Sequence, residues 1–74
     1  MIAKIYDRDF EYTSPEVSEA QEKLNDIVPG ISESRVRAFG RFEFPLTEDL
    51  TEEQKTTFED WVTDNHPDWS VVWR

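Results

Sequence analysis

The sequence predicts an α+β fold, a small two-layer sandwich in which two helices cover one face of an antiparallel sheet. Three features predict it: two segments with helical spacing of apolar residues, strand-like segments near both ends of the chain, and an alternating stretch in the middle. Period-two alternation indicates a strand with one buried face, whereas apolar residues three and four apart indicate a helix. A chain of 74 residues is expected to form a single domain, residues 1–74.

The central stretch, residues 34–46, has the clearest strand pattern. Its even positions are apolar or small, and its odd positions hold three of the five arginines. Fully extended, this stretch would reach about 43 Å, which exceeds the diameter of about 30 Å expected for a chain of this size. A turn is therefore predicted at Gly40, in a hairpin whose three-residue loop pairs Val36 with Phe44. The alternative is one long central strand bent at Gly40.

A strand and a helix are predicted before this stretch. Residues 2–6 are rich in β-forming side chains, and residues 7–12 either extend that strand or form a loop. Ser14 is predicted to cap the first helix, with Pro15 in its first turn, and the Pro-Gly pair at 29–30 is predicted to end it. The apolar residues of this helix recur at helical spacing: Val17, Ala20, Leu24, Ile27 and Val28.

The second predicted helix follows the central stretch. Thr51 and Gln54 have the spacing of a capping box at its start, and residues 65–67 contain the proline that ends it. Its side chains at helical spacing define a face directed at the sheet: Leu50, Gln54, Phe58, Trp61 and Val62.

The last predicted strand, residues 68–74, places Trp69, Val71 and Trp73 on one face. The resulting βαββαβ order is that of a ferredoxin-like sandwich, whereas one bent central strand would leave a three-stranded βαβαβ layer. The two indoles are predicted to lie in the core. If this strand instead lies at a sheet edge with its backbone unpaired, it could form a homodimer by strand addition.

Charge is distributed unevenly along the chain, whose formal net charge is −9. Residues 9–33 hold seven acids and one lysine, and residues 47–68 hold eight acids and one lysine. The remaining residues, mostly in predicted strands, hold six basic and two acidic side chains. The helical layer is therefore predicted to be acidic and the sheet mildly basic. Such a charge disfavours generic binding to nucleic acids or anionic membranes.

The acidic helices predict a docking face for a basic protein, although the same acids could form only a solvated surface. An array of negative charge on a small rigid body resembles the charge presented by nucleic acid. The pattern therefore favours a basic, nucleic-acid-binding partner, bound by an inhibitor or nucleic-acid mimic of the phage or mobile-element type. The residues predicted to carry this function form a main patch and a second patch: Glu52, Glu53, Glu59, Asp60 and Asp64, then Glu19 and Glu22.

Two other functions fit the sequence. Arginines on the uncovered sheet face, with one aromatic to stack on bases, could bind single-stranded nucleic acid; the net charge makes this direct binding the less favoured prediction. In a purely structural role, the same arginines would pair with neighbouring acids. The third hypothesis is a salt-adapted protein whose carboxylates keep it hydrated. The alternative nucleic-acid face consists of Arg35, Arg37, Phe39 and Arg41.

Residues suited to catalysis or cofactor binding are scarce. There is no cysteine, and the two glycines form no phosphate-binding loop. The single histidine, His66, is predicted to cap the second helix rather than to bind a metal. Neither an enzyme nor a cofactor nor a metal site is predicted. The first residues lack the features of a signal peptide, and no apolar run approaches about 20 residues, so a cytoplasmic protein is expected.

Overall fold

The computed structural model describes residues 1–9, 12–28 and 40–74, together with the backbone of residues 35–38. Their helices and strands follow the predicted βαββαβ order: β1 (Ile2–Asp7), α1 (Ser14–Ile27), β2 (Arg35–Ala38), β3 (Arg41–Pro45), α2 (Glu52–Asn65) and β4 (Trp69–Trp73). The two-layer α+β prediction is confirmed. The alternative with three strands is wrong, because β2 and β3 are separate antiparallel strands.

The sheet has four strands in the order β2-β3-β1-β4, and all neighbouring strands are antiparallel. On the central strand β1, Ile5 lies opposite Phe42 of β3 and Val71 of β4. Burial alternates along β1, with Ala3, Ile5 and Asp7 buried and the residues between them more exposed. Since alternate side chains point to opposite faces, these three residues face the helices.

Strand β2 ends at Ala38 and β3 begins at Arg41, which lies opposite Ala38, so the predicted three-residue loop is wrong. Val36 lies opposite Phe42, so the predicted pairing of Val36 with Phe44 is wrong. A register shift between Val36 and Ala38 adds one residue to β2, as in a β-bulge. Without it, a two-residue loop would set apolar residues of β2 opposite polar residues of β3. The predicted turn at Gly40 is confirmed by its φ of 70°, a value that glycine adopts without a Cβ clash.

The hydrophobic core lies between the helices and the helix-facing side of the sheet. Phe42, Phe44 and Phe58 are completely buried. The Phe42 ring lies 5.0 Å from that of Tyr12 and 5.2 Å from that of Trp69, measured between centroids. The helical spacing correctly predicted the buried residues of both helices, whereas three predicted inner-face residues are only partly buried: Ile27, Gln54 and Trp61. Among the residues described, the core also contains Trp69 and a set of smaller side chains: Ala3, Ile5, Val17, Ala20, Leu24, Val28, Leu46, Leu50 and Val62.

Each helix begins with a capping box, in which two orphan backbone N–H groups are satisfied reciprocally. In α1 the Thr13 hydroxyl accepts from the Glu16 N–H, and the Glu16 carboxylate accepts from the Thr13 N–H at 2.8 Å. The cap predicted at Ser14 is therefore wrong by one residue. Thr13 is the residue followed three positions later by Glu16, the spacing that a capping box requires. The predicted box of Thr51 and Gln54 at the start of α2 is confirmed.

Replacing Thr51 by alanine is expected to lower the free energy of unfolding by about 1 kcal/mol. The change removes the acceptor of the Gln54 N–H, which lies 3.2 Å from the Thr51 hydroxyl oxygen. Urea denaturation of both proteins measures the difference. The control is Thr56→Ala at an exposed position within α2, where alanine, the better helix former, should cause no loss. Equal losses in the two variants would contradict a capping role for Thr51.

Candidate protein-binding surface

The exposed side of α2 carries a row of three carboxylates. Glu53, Asp60 and Asp64 are all exposed, and their spacings of seven and four residues return to the same face of a helix. The buried residues Phe58 and Val62 occupy the opposite side of α2. We call Glu53, Asp60 and Asp64 the α2 acidic row.

The other two predicted acids of α2, Glu52 and Glu59, lie on the flank of the helix that adjoins β4. The Trp73 indole N–H donates to Glu59 Oε1 at 3.3 Å, and Glu59 is half-buried. Glu52 lies seven residues before Glu59, hence on the same flank, and Lys55 Nζ is 3.4 Å from its Oε1. The five predicted acids of α2 are thus divided between two sides of the helix.

The exposed side of α1 carries a second row. Glu19 and Glu22 are exposed, as is Asp26 four residues after Glu22. This spacing places the three carboxylates along one face, away from the buried Val17 and Leu24. We call Glu19, Glu22 and Asp26 the α1 acidic row. The sequence-based prediction omitted Asp26, although the same spacing identifies it.

His66 joins the two helices. Its Nδ1 lies 3.4 Å from Glu16 Oε2, and its Nε2 lies 3.6 Å from Glu19 Oε1. The imidazole stacks on the Trp69 indole, with centroids 3.8 Å apart and the ring planes 9° from parallel. Its backbone N–H donates to the Val62 carbonyl, as predicted for a residue that caps α2. The end of α2 therefore contacts the start of α1, and the two acidic rows share the outer surface of the helical layer.

This outer surface is strongly negative. Helices α1 and α2 together contain nine acids and two lysines. One of those lysines, Lys55, lies against Glu52, and neither helix has a basic residue in its last turn. At physiological ionic strength the field of exposed charges extends about 8 Å. The arrangement can therefore attract and orient a complementary basic surface.

The open face of the sheet carries basic side chains that contact other groups of the sheet. The Arg41 guanidinium lies 5.9 Å from the centroid of the Tyr6 ring, and Lys4 Nζ lies 3.9 Å from Glu43 Oε1. These contacts are compatible with a structural role, in which basic side chains pair with neighbouring groups of the sheet. They are also compatible with nucleic-acid binding. The other members of the alternative nucleic-acid face lie outside the described side chains: Arg35, Arg37 and Phe39.

Two kinds of site are not found in the described part of the chain. No group of three histidine or acidic side chains there could hold a metal ion, and no described helix is long and apolar enough to cross a membrane. A cleft of about 250 Å³ adjoins His66, Asp7 and Asp68. Both Asp7 carboxylate oxygens already accept hydrogen bonds from within the protein, one from the Trp69 indole and one from the Asp9 N–H.

Comparisons with protein-family models, with curated proteins and with solved structures found no match. Function must therefore be inferred from the charge, exposure and contacts of the residues themselves.

Proposed function

We propose that this chain is a small, non-enzymatic interaction module of the cytoplasm that docks onto a basic protein through its acidic helical layer. The observation that supports this function most is the placement of the α1 acidic row beside the α2 acidic row. All six carboxylates of these rows are exposed, and His66 at the end of α2 lies 3.4 and 3.6 Å from two carboxylates of α1.

The partner class we favour is a protein whose basic groove binds nucleic acid. Such a groove neutralises a regular series of phosphates with lysine and arginine. Side chains three and four residues apart on a helix are about 5–6 Å from one another, and a spacing of seven residues, as between Glu53 and Asp60, is about 10 Å along the axis. Each acidic row therefore repeats negative charge along a rigid rod. A small chain of this kind would compete with nucleic acid for the groove, as an inhibitor of the phage or mobile-element type does.

Charge alone gives this complex limited affinity. An exposed ion pair contributes about 0–1 kcal/mol, so six carboxylates would supply at most about 6 kcal/mol. That corresponds to a dissociation constant no lower than about 40 µM. The rows therefore account for partner selection and association rate, and a tighter complex requires a further contact elsewhere on the surface.

The test is capture of binding proteins from a lysate of the native host, with and without nuclease. The expected result is a basic protein that is retained after nuclease treatment and released by high salt. Neutralising the α2 acidic row with Glu53→Gln, Asp60→Asn and Asp64→Asn, the row variant, should weaken capture about tenfold, since three exposed pairs are lost. The control neutralises three exposed acids outside the helices: Glu48→Gln, Asp49→Asn and Asp68→Asn.

Two results would contradict this function. Equal capture by the row variant and the wild type would exclude docking through α2. Retention that disappears with nuclease would instead favour nucleic-acid binding by the open sheet face, to be checked with single-stranded RNA and an Arg37→Ala variant. The salt-adapted alternative makes a separate prediction, which is that folding itself requires high salt. Cooperative unfolding in dilute buffer would argue against it.

A further inference from the structure

Strand β4 forms one edge of the sheet that the structure describes. In the part of the chain that the structure describes, no strand lies beyond β4 in the sheet. Arg74 and Ile2 exchange both of their backbone hydrogen bonds, and Val72 lies opposite Lys4. Because hydrogen-bonded pairs alternate along antiparallel strands, the N–H and C=O groups of Val71 and Trp73 point away from β1. These groups are available to a further strand.

Nothing in the composition of β4 protects this edge. Its sequence, WSVVW, contains neither a charged residue nor a proline, which are common means of preventing an edge from pairing with another chain. The opposite edge differs, since β2 has the sequence RVRA with two arginines. The side chains of Val71, Val72 and Trp73 are only half-buried. An uncharged edge strand of this kind is a template for strand addition.

The negative charge beside this edge determines which kind of strand can pair with β4 most favourably. Glu59 lies against Trp73 of β4, and Glu52 is on the same flank of α2. A second copy of this chain would bring another body of net charge −9 to the same edge, where Glu59 already lies. A basic segment would instead bring cations to the same place, so the charges favour a basic strand over a second copy.

We propose that the basic partner adds an extended segment to this edge of β4. Its backbone pairs with the outward N–H and C=O groups of Val71 and Trp73, and basic side chains on the helix-facing side contact Glu59. This inference rests on the proposed function and specifies how the partner binds. It also supplies the further contact that the acidic rows require, because backbone hydrogen bonds give affinity in strand addition.

A synthetic peptide of alternating lysine and valine, about ten residues long, provides the probe. Titration calorimetry with the wild-type protein is expected to show binding at least about tenfold tighter than for the same peptide with a fully N-methylated backbone. The N-methylated peptide keeps the charge and the side chains but lacks the N–H donors. Since this comparison uses the unaltered protein, it does not depend on the folding of any variant.

Val71→Pro tests the same edge from the side of the protein. Because the Val71 N–H points away from β1, proline removes no hydrogen bond of the sheet, but it should weaken peptide binding about tenfold. The matched control is Val71→Thr, which keeps the N–H and should bind like the wild type. Glu59→Gln, which still accepts from the Trp73 indole, should weaken binding about threefold through loss of charge. Circular dichroism verifies the fold of each variant.

Three outcomes would overturn strand addition. Equal binding of the two peptides would show that charge alone is recognised, which would leave the proposed docking function standing. Failure of both peptides to bind would exclude β4 as a strand acceptor, while the lysate capture would still report separately on the acidic rows. A wild-type dimer in sedimentation, stabilised by salt and lost in Val71→Pro, would assign the edge to a second copy.

Discussion

Replacing Phe42 by alanine is expected to remove a large part of the free energy of unfolding. The ring is completely buried and packs edge-on against Phe44 and Trp69, with centroids 5.6 and 5.2 Å away. Truncating a buried phenylalanine to alanine costs about 3–5 kcal/mol. A domain of 74 residues has a total stability of about 4–11 kcal/mol. The substitution therefore removes a large part of the stability of the fold.

Urea denaturation, followed by tryptophan fluorescence, measures this loss. Phe42→Leu serves as the control, because leucine retains most of the apolar volume and should cost less than about 1.5 kcal/mol. An unfolding free energy for Phe42→Ala within about 1 kcal/mol of the wild-type value would contradict the central position of Phe42 in the core.

The second large effect is expected at Asp7, a carboxylate on the helix-facing side of the sheet. Asp7 is 7% exposed; its Oδ2 accepts from the Trp69 indole N–H at 3.1 Å, and its Oδ1 accepts from the Asp9 N–H at 2.9 Å. Asp7→Ala removes both acceptors and leaves a buried indole N–H without a partner. Since hydrogen bonds to a charged group contribute about 1.5–3 kcal/mol, we expect a loss of about 2–3 kcal/mol.

Urea denaturation of Asp7→Ala and of Asp60→Ala separates this local effect from a change in net charge. Both substitutions remove one negative charge, but Asp60 is exposed on α2 and should change stability by less than about 0.5 kcal/mol. The Trp69→Phe variant already lacks the indole N–H donor. Adding Asp7→Ala to it should therefore lower the free energy of unfolding by less than the same change does in the wild type. Equal costs in the two backgrounds would exclude the Asp7–Trp69 hydrogen bond as a source of stability.

Much of the fold could be predicted because local patterns and the overall architecture agree. The Thr51–Gln54 capping box and the apolar spacing of both helices are local signals. The length of residues 34–46 required a turn, and only Gly40 could supply it without strain. The bulge in β2 could not be predicted, because four residues of alternating pattern do not reveal one extra residue. The register was therefore predicted incorrectly although the hairpin was predicted correctly.

The candidate surface could be predicted only in part. Helical spacing places Glu53, Asp60 and Asp64 on the exposed side of α2, but which flank adjoins β4 depends on how the helix packs. The Glu59–Trp73 contact and the His66–Glu16 contact both arise from that tertiary packing, so sequence spacing gave no indication of them. The buried position of Asp7 was not predicted, because the predicted first strand ended at residue 6 and residues 7–12 were left as either strand or loop.

The most direct test of docking through the acidic helices is the salt dependence of affinity for the captured basic partner. Binding isotherms for the wild type and the row variant should be recorded between about 0.05 and 0.5 M salt, a range over which screening of exposed charges changes strongly. The wild-type affinity is expected to fall steeply with salt, and the slope for the row variant should be shallower. An affinity that is the same at low and high salt would contradict docking through the acidic rows.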